Sequence, residues 1–365
     1  MRNAGLSLAV LLSLFAAACG GSVDQENAVG KVSSAVQGGK QDTSTAHNYA
    51  VGVASKYGSI CTGTLIAPNL VLTARHCVVP PSADETVTCA DKFPKNVAAS
   101  TLFITTDSNI FRSKHFYNAS EIITPTETGF CGNDIALIIL DSNIPAAEAE
   151  PATPVVQFSM TDHTKVGGKI AAVGFGVTNP SAEDSGVRRV RENIGITCIP
   201  GDKDKQFACP SNLVDSDAEF ITEGWVCSGD SGSGAFDEAS FQAGSPYVLG
   251  TLSRGPQSAD KCLEAVYTRT DAHAPLILSA GQKALAAGGY DAPGWLSPES
   301  AAPGEGTTCE GETCTDVSAT DPAPTTTTTH TTGCSTAGAF GTSGSRTALL
   351  GMMAALVLAA RRRHR

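Results

Sequence analysis

Short apolar runs separated by turn-rich segments fill the chain between Val36 and about Gly281. Such runs are typical of β-strands, and the clearest lie at 50–54, 64–66, 135–140, 170–173 and 247–252. Only one late segment, 275–287, places apolar residues at helical spacing. The pattern therefore predicts an all-β sandwich or barrel followed by one helix.

The N-terminal pattern differs from that of the strand-rich region. Arg2 precedes an apolar run at 6–18 that is too short to span a bilayer and ends in small residues, which predicts a signal peptide over 1–18. Cleavage after Ala18 suits either simple secretion or lipidation of Cys19, since the stretch resembles a lipobox with Ala16 in place of a larger aliphatic residue. The small, polar segment 19–35 is interpreted as a tether or pro-segment.

The C-terminal region divides into a stalk and a tail. Prolines and threonines without apolar periodicity predict a solvated stalk over 289–333. The tail, 334–365, combines Cys334, an apolar run at 348–360 and an arginine cluster. As a helix the apolar run would be only about 20 Å long. The tail resembles the C-terminal sorting tails of myxobacterial surface proteins, and a weak transmembrane anchor is the alternative.

Composition supports an exported protein. The hydrophobic fraction of 41% suffices for a core, while 37 glycines, 19 prolines and 6% aromatic residues favour short strands and turns. A net charge of -11 argues against a nucleic-acid partner. The 12 cysteines form no paired CxxC zinc pattern, so they predict disulfides in an oxidising compartment, with no metal or cofactor.

The stretch CSGDSGSG, residues 227–234, raises the question of nucleophilic chemistry at Ser231. A serine hydroxyl needs a base and a group that orients the base. His76 ends LIAPNLVLTARHC, and Asp134 heads the apolar strand of GNDIALIIL, where a buried charge needs a partner such as an imidazole N–H. A phosphate-binding loop is the other interpretation of the glycines, but no lysine follows them.

These three motifs, in the order His76, Asp134, Ser231, resemble those of the chymotrypsin–trypsin family of serine peptidases. The resemblance runs from VQGG at Val36 through VYTRT at Val266 to the late helix. It implies a peptidase domain over 36–288, built from two six-stranded antiparallel β-barrels with a C-terminal helix. It also implies that Ser231 is the nucleophile, His76 the general base, and Asp134 the residue that orients the imidazole.

The resemblance extends to the oxyanion hole and to the disulfides. The backbone N–H groups of Gly229 and Ser231 would bind the oxyanion. The family pattern implies the pairs Cys61–Cys77 and Cys227–Cys262, and proximity in the sequence suggests three more: Cys89–Cys131, Cys198–Cys209 and Cys309–Cys314.

Two departures from the family pattern affect the surroundings of the site. Ser233 and Gly234 stand where Gly-Pro usually follows the nucleophile, which leaves loop rigidity open. Arg75 replaces the common small residue before His76, which leaves the local electrostatics open.

The stretch SSAVQGGK resembles the start of the mature family domain. An activating peptidase would free Val36, whose ammonium would pair with Asp230 and order the oxyanion loop. Because Ala35 precedes the cut, a trypsin-like activator is not implied.

The same resemblance places Trp225 at the base of the substrate pocket, with Ser253 to Gly255 and Ala265 as its walls. An indole at the base favours small or medium apolar side chains. The alternative is that a loop of altered length brings Glu223 into the base and restores a preference for basic residues.

The sequence thus predicts a secreted or surface-anchored serine endopeptidase that acts on protein or peptide substrates. Membrane association would come from a lipid on Cys19, from the C-terminal tail, or from both. The alternative function is a catalytically silent peptidase fold that serves as a binding or display module on the cell surface.

Overall fold

Sixteen β-strands and two α-helices are assigned in the computed structural model, which describes residues 36–81, 87–210, 216–256, 258 and 261–297 and the backbone of 307–310 and 313–316. The strands are β1 Lys40–Gln41, β2 Ala50–Ser55, β3 Ile60–Ala67, β4 Leu70–Thr73, β5 Leu102–Thr105, β6 Tyr117–Ile123, β7 Ala136–Leu140, β8 Thr153–Pro154, β9 Lys169–Gly174, β10 Arg189–Cys198, β11 Glu219–Thr222, β12 Gly234–Asp237, β13 Tyr247–Arg254, β14 Ala265–Arg269, β15 Thr307–Glu310 and β16 Thr313–Asp316. The helices are α1 Glu238–Gln242 and α2 Ala274–Gly288.

Six strands close the first barrel in the order β2-β3-β4-β7-β6-β5. Its central strands β4 and β7 are buried along their whole length, and they pair antiparallel with Leu70 opposite Ile139. Continuous burial explains why β7 is an unbroken apolar run in the sequence rather than an alternating one. The predicted strand at 135–140 is therefore confirmed, one residue shorter at its start.

The second barrel is formed by β9, β10, β11, β14, β13 and β12 in that order, and β12 pairs back with β9. The two-residue strands β1 and β8 add to β10 and β13 at its edges. Together the barrels confirm the predicted fold class of two six-stranded antiparallel barrels with a C-terminal helix.

Helix α2 follows the second barrel but packs on the first. Pro275 lies in its first turn, and Gly289, with φ of +63°, ends it in the left-handed conformation. Ile277 and Ala284 are buried in the core of the first barrel, and the Asn69 side chain donates to the Ala284 carbonyl.

The folded region continues past this helix. A short 3₁₀ helix, Gly294–Leu296, buries Trp295 and Leu296 in the same core, and the Trp295 indole N–H donates to the Ile66 carbonyl at 3.1 Å. Residues 289–297 are thus part of the packed domain, and the prediction that the stalk begins at 289 is wrong for this segment. Burial of Trp295 against a distant strand leaves no periodic signal in so short a segment.

Among the residues whose side chains the structure describes, four disulfides are present, and they are four of the five predicted pairs: Cys61–Cys77, Cys89–Cys131, Cys198–Cys209 and Cys227–Cys262. Cys309 lies opposite Cys314 in the β15–β16 pair, and a bond between them stays a prediction because the structure describes only their backbone. No helix within the described ranges is long and apolar enough to cross a membrane. The predicted signal peptide, Cys19, the tether, Cys334 and the tail lie outside the described residues.

Candidate active site

His76 is held at the end of the first barrel's β4. The chain leaves β4 into the 3₁₀ helix Arg75–Val78, and the Cys61–Cys77 disulfide ties this helix back to β3. The sulfurs of Cys61 and Cys77 lie near the imidazole, but their bond to each other removes the thiolates that a metal would need. The His76 side chain keeps 28% of its surface exposed, so it can reach a substrate.

Asp134 is fully buried just before β7 and accepts three hydrogen bonds. Its Oδ1 accepts from the His76 backbone N–H at 2.9 Å, and its Oδ2 lies 2.7 Å from His76 Nδ1. The Ser253 hydroxyl donates to the same Oδ2 at 2.7 Å. The contact with Nδ1 requires the proton to sit on that nitrogen, which leaves His76 Nε2 as the proton acceptor.

The pKa of His76 reflects two opposing effects. Burial acts to lower it, but the negative charge of Asp134 and the hydrogen bond to that carboxylate outweigh burial, so the pKa lies above its ordinary value. The imidazole is thereby able to take up a proton during a reaction.

The loop around Ser231 is a tight turn that only glycine permits at two places. Gly229 has φ of +94°, and a Cβ there would lie 2.8 Å from the Gly176 Cα. Gly232 has φ of +82°, and a Cβ there would lie 2.1 Å from Thr73 Oγ1. The glycines of CSGDSGSG therefore allow this loop to lie against both barrels, and the segment is not a flexible linker.

Thr62 on β3 fastens the loop to the first barrel. Its backbone N–H donates to the Ser231 carbonyl at 2.8 Å, and its hydroxyl donates to the Gly229 carbonyl at 3.0 Å. Both carbonyls are thus turned toward Thr62. Sequence reasoning missed this residue, because a threonine within a strand carries no distinguishing pattern.

The predicted oxyanion donors are the N–H groups of Gly229 and Ser231. Within the described part of the chain neither N–H has a hydrogen-bond partner, so both are available to a ligand. The Ser231 hydroxyl likewise makes no hydrogen bond to His76 among the described residues, a contact that commonly tightens only when substrate binds. The loop nevertheless lies beside the histidine, since a Cβ on Gly232 would be 2.9 Å from the Ala74 N.

Asp230 and Val36, the predicted activation pair, lie together inside the second barrel. Neither residue is exposed, and the Asp230 carboxylate accepts hydrogen bonds from the backbone N–H groups of Val36, Gly176 and Cys227. Burial nevertheless raises the pKa of Asp230 to about 6, because amide donors only partly replace water or a counter-cation.

The predicted pocket residues occupy different environments. The Ser253 hydroxyl is engaged with Asp134, and Ala265 is fully buried in β14. A Cβ on Gly255 would lie 2.3 Å from the Glu264 carbonyl oxygen. Ser253 thus donates a hydrogen bond to the Asp134 carboxylate, in addition to the place in the pocket wall that the sequence predicts for it.

Trp225 makes a contact that the sequence did not predict. It adopts φ of +89°, its N–H donates to the Cys262 carbonyl, and its ring stacks on the Arg191 guanidinium at 3.7 Å. Glu223, the alternative pocket base, instead accepts a hydrogen bond from the Gly195 N–H of β10 at 3.2 Å.

Two comparisons of the sequence with known proteins found similarity. The family model described as Trypsin matches residues 36–277. Phenoloxidase-activating factor 3 of Holotrichia diomphalia is 28% identical to this chain over 223 residues, or 58% of this chain and 61% of that protein. The chain thus spans 61% of the length of this curated relative.

Proposed function

Because the chain belongs to the trypsin family of serine peptidases, we propose that it is a serine endopeptidase in which Ser231, His76 and Asp134 form the catalytic triad. The observation that carries the proposal is the fully buried Asp134, which holds both the backbone and the Nδ1 of His76. This arrangement fixes the tautomer that leaves Nε2 free to accept a proton.

In the proposed reaction Ser231 Oγ attacks the scissile carbonyl while His76 Nε2 takes the hydroxyl proton. The carbonyl π electrons move onto oxygen, where the N–H groups of Gly229 and Ser231 bind the developing charge. His76 then gives the proton to the leaving amine as the C–N bond breaks. A water molecule repeats the sequence on the acyl-enzyme, which releases the acid and restores Ser231.

Covalent labelling tests the proposal directly. A fluorophosphonate reacts only with an activated serine beside an open oxyanion hole, so the wild-type chain should be labelled at Ser231. Ser231→Ala and His76→Ala should both lose the label while remaining folded by circular dichroism. Absence of labelling in a folded, processed wild-type chain would favour the silent binding or display module instead.

The proposed substrate preference is a small or medium apolar side chain before the scissile bond. Support comes from the pocket residues Trp225, Ser253, Gly255 and Ala265, none of which carries a carboxylate. Glu223 is hydrogen-bonded to Gly195 on β10, which makes a basic preference less favourable. Cleavage after Ala, Val or Leu should exceed cleavage after Arg or Lys in a peptide library, and the reverse order would require an acid at the pocket base.

Activation by cleavage before Val36 is part of the proposal. Its support is the burial of Val36 beside the Asp230 carboxylate, next to Ser231. A free ammonium there would give the buried carboxylate the counter-cation that amide donors do not supply. N-terminal sequencing of the active species should give Val-Gln-Gly-Gly, whereas full activity with residues 20–35 attached would exclude the scheme.

We further propose that the peptidase is exported and held at the cell surface. Four disulfides are typical of proteins from oxidising compartments. The sequence features behind anchoring are Cys19, the Pro/Thr-rich stalk and the tail at 334–365. Mass spectrometry of the mature protein would identify a lipid on Cys19 and the residue at which the tail ends.

A further inference from the structure

Thr62 lies on β3 of the first barrel, is completely buried, and uses its hydroxyl in two hydrogen bonds. The oxygen accepts the Phe175 N–H at 3.0 Å, and the hydroxyl donates to the Gly229 carbonyl at 3.0 Å. A hydroxyl has one proton, and neither the Phe175 N–H nor a carbonyl oxygen can exchange roles with it. The proton of Thr62 is therefore directed to the Gly229 carbonyl.

The second barrel holds the loop around Ser231 with three consecutive backbone N–H groups at 175–177, directly after β9. The second and third donate to the Asp230 carboxylate and to the Ser228 carbonyl, each at 2.8 Å. The first, from Phe175, reaches the same loop through the hydroxyl of Thr62. One oxygen atom thus connects the first barrel, the second barrel and the loop.

The peptide that Thr62 holds lies between the two proposed oxyanion donors, the N–H groups of Gly229 and Ser231. Its carbonyl belongs to Gly229 and accepts from Thr62, while its N–H belongs to Asp230 and donates to the Cys227 carbonyl at 3.0 Å. The C=O and N–H of a trans peptide point in opposite directions, so these two contacts fix the peptide plane. Because this peptide joins the two donors, its rotation would change the angle between their N–H groups.

The neighbouring peptides carry the oxyanion donors, and main-chain groups hold their carbonyls. The Ser228 carbonyl accepts the Val177 N–H at 2.8 Å, and the Asp230 carbonyl accepts the Ser233 N–H at 2.7 Å. Each oxyanion donor points in the opposite direction from the carbonyl of its own peptide. Of the three peptides, the middle one is held at its carbonyl by a side chain, which a substitution can remove.

From these contacts we propose that Thr62 is a positioning residue of the oxyanion hole, whose hydroxyl keeps the two N–H donors pointing to one oxygen atom. The inference rests on the proposed peptidase function. Since Thr62 is buried and does not face the substrate, its hydroxyl stabilises the transition state through the loop alone. Loss of the hydroxyl therefore lowers kcat and leaves KM nearly unchanged.

The test compares kcat and KM for Thr62→Val, which keeps the shape of the side chain without its hydroxyl, and for Thr62→Ser, which keeps the hydroxyl. Thr64→Val is the matched control, because Thr64 is buried on the same strand and its hydroxyl has no hydrogen-bond partner among the described residues. We expect Thr62→Val to lower kcat by about 10- to 100-fold and to change KM by less than about twofold. Thr62→Ser and Thr64→Val should keep kcat within about threefold of wild type.

A transition-state analogue locates the effect in the oxyanion hole. A peptidyl trifluoromethyl ketone adds to Ser231 and forms a hemiketal whose oxyanion binds the two N–H donors, whereas the corresponding alcohol forms no adduct. In Thr62→Val the inhibition constant of the ketone should rise by the same factor as kcat/KM falls. The affinity for the alcohol should stay at the wild-type value.

Wild-type kcat in folded Thr62→Val, equal losses in Thr62→Val and Thr62→Ser, or a loss confined to KM would each overturn the proposal. If Thr62→Val and Thr62→Ala both fail to fold by circular dichroism, Thr62 is a structural residue and the proposal is also overturned. Failure of the peptidase assignment has a different result, which is a wild-type chain that fluorophosphonate does not label. The inference about Thr62 would then be overturned with the assignment.

Discussion

Ser253→Ala is the substitution that most directly measures how Asp134 is held. The hydroxyl of Ser253, a residue that is only 5% exposed, donates to Asp134 Oδ2 at 2.7 Å. A hydrogen bond to a charged group is worth about 1.5 to 3 kcal/mol. If the reaction's transition state needs a fully oriented Asp134, kcat/KM should fall by about 10- to 100-fold.

The assay is hydrolysis of a peptide substrate at pH 8, with the active fraction fixed by fluorophosphonate titration. KM should change little, because the hydroxyl faces Asp134 rather than the substrate. Ser120→Ala is the control, since it deletes a hydroxyl that donates to the Ile139 carbonyl elsewhere in the first barrel. A Ser253→Ala rate within twofold of wild type per titrated site would refute the view that three hydrogen bonds are needed to orient Asp134.

Two further predictions concern stability. Trp295→Ala removes a buried indole and its hydrogen bond to the Ile66 carbonyl, so it should lower the Tm of the domain by about 10 °C in a thermal melt. An unchanged Tm would mean that residues 289–297 do not stabilise the domain and belong to the stalk. Burial raises the pKa of Asp230 from 3.8 to about 6 in the folded chain, so the stability that this residue contributes is fully present below about pH 4 and is lost as pH rises through 6. In urea unfolding of the uncleaved chain, Asp230→Asn should accordingly raise the free energy of unfolding by about 3 kcal/mol at pH 8 and change it little at pH 4. Equal changes in the free energy of unfolding at both pH values would contradict this reasoning.

The strands that sequence reasoning found share one physical property, which is continuous burial. β7 and β13 are apolar over most of their length because both faces are covered, and such runs are visible without any partner. β10 was missed, since its ten residues include Arg191, Glu192 and Asn193 at a register shift against β9. The polar residues of β10 contact β9 and α1, and the local sequence of β10 does not show which elements it will contact.

The site shows the same division between local and distant determinants. Only glycine fits the turn at positions 229 and 232, and this requirement is local, so the two glycines can be recognised in the sequence as part of a motif. Trp225 and Arg191 are 34 positions apart, and their stacking depends on how the second barrel closes. The same holds for Thr62, whose hydroxyl accepts the Phe175 N–H and donates to the Gly229 carbonyl across the barrel junction.

Two buried carboxylates belong to the proposed site, and their hydrogen-bond partners differ in kind. Asp134 is hydrogen-bonded to the imidazole of His76 and to the hydroxyl of Ser253, and neither partner involves the N-terminus at Val36. Within the described residues Asp230 accepts hydrogen bonds only from amide N–H groups, the charge of Arg189 opposes the effect of burial only in part, and the pKa of about 6 leaves Asp230 partly protonated near neutrality. A free Val36 ammonium would change the charge balance of Asp230 alone. In the proposed activation scheme, His76 and Asp134 would therefore already be in place before cleavage at Val36, and only the Gly229–Ser231 loop would change on cleavage.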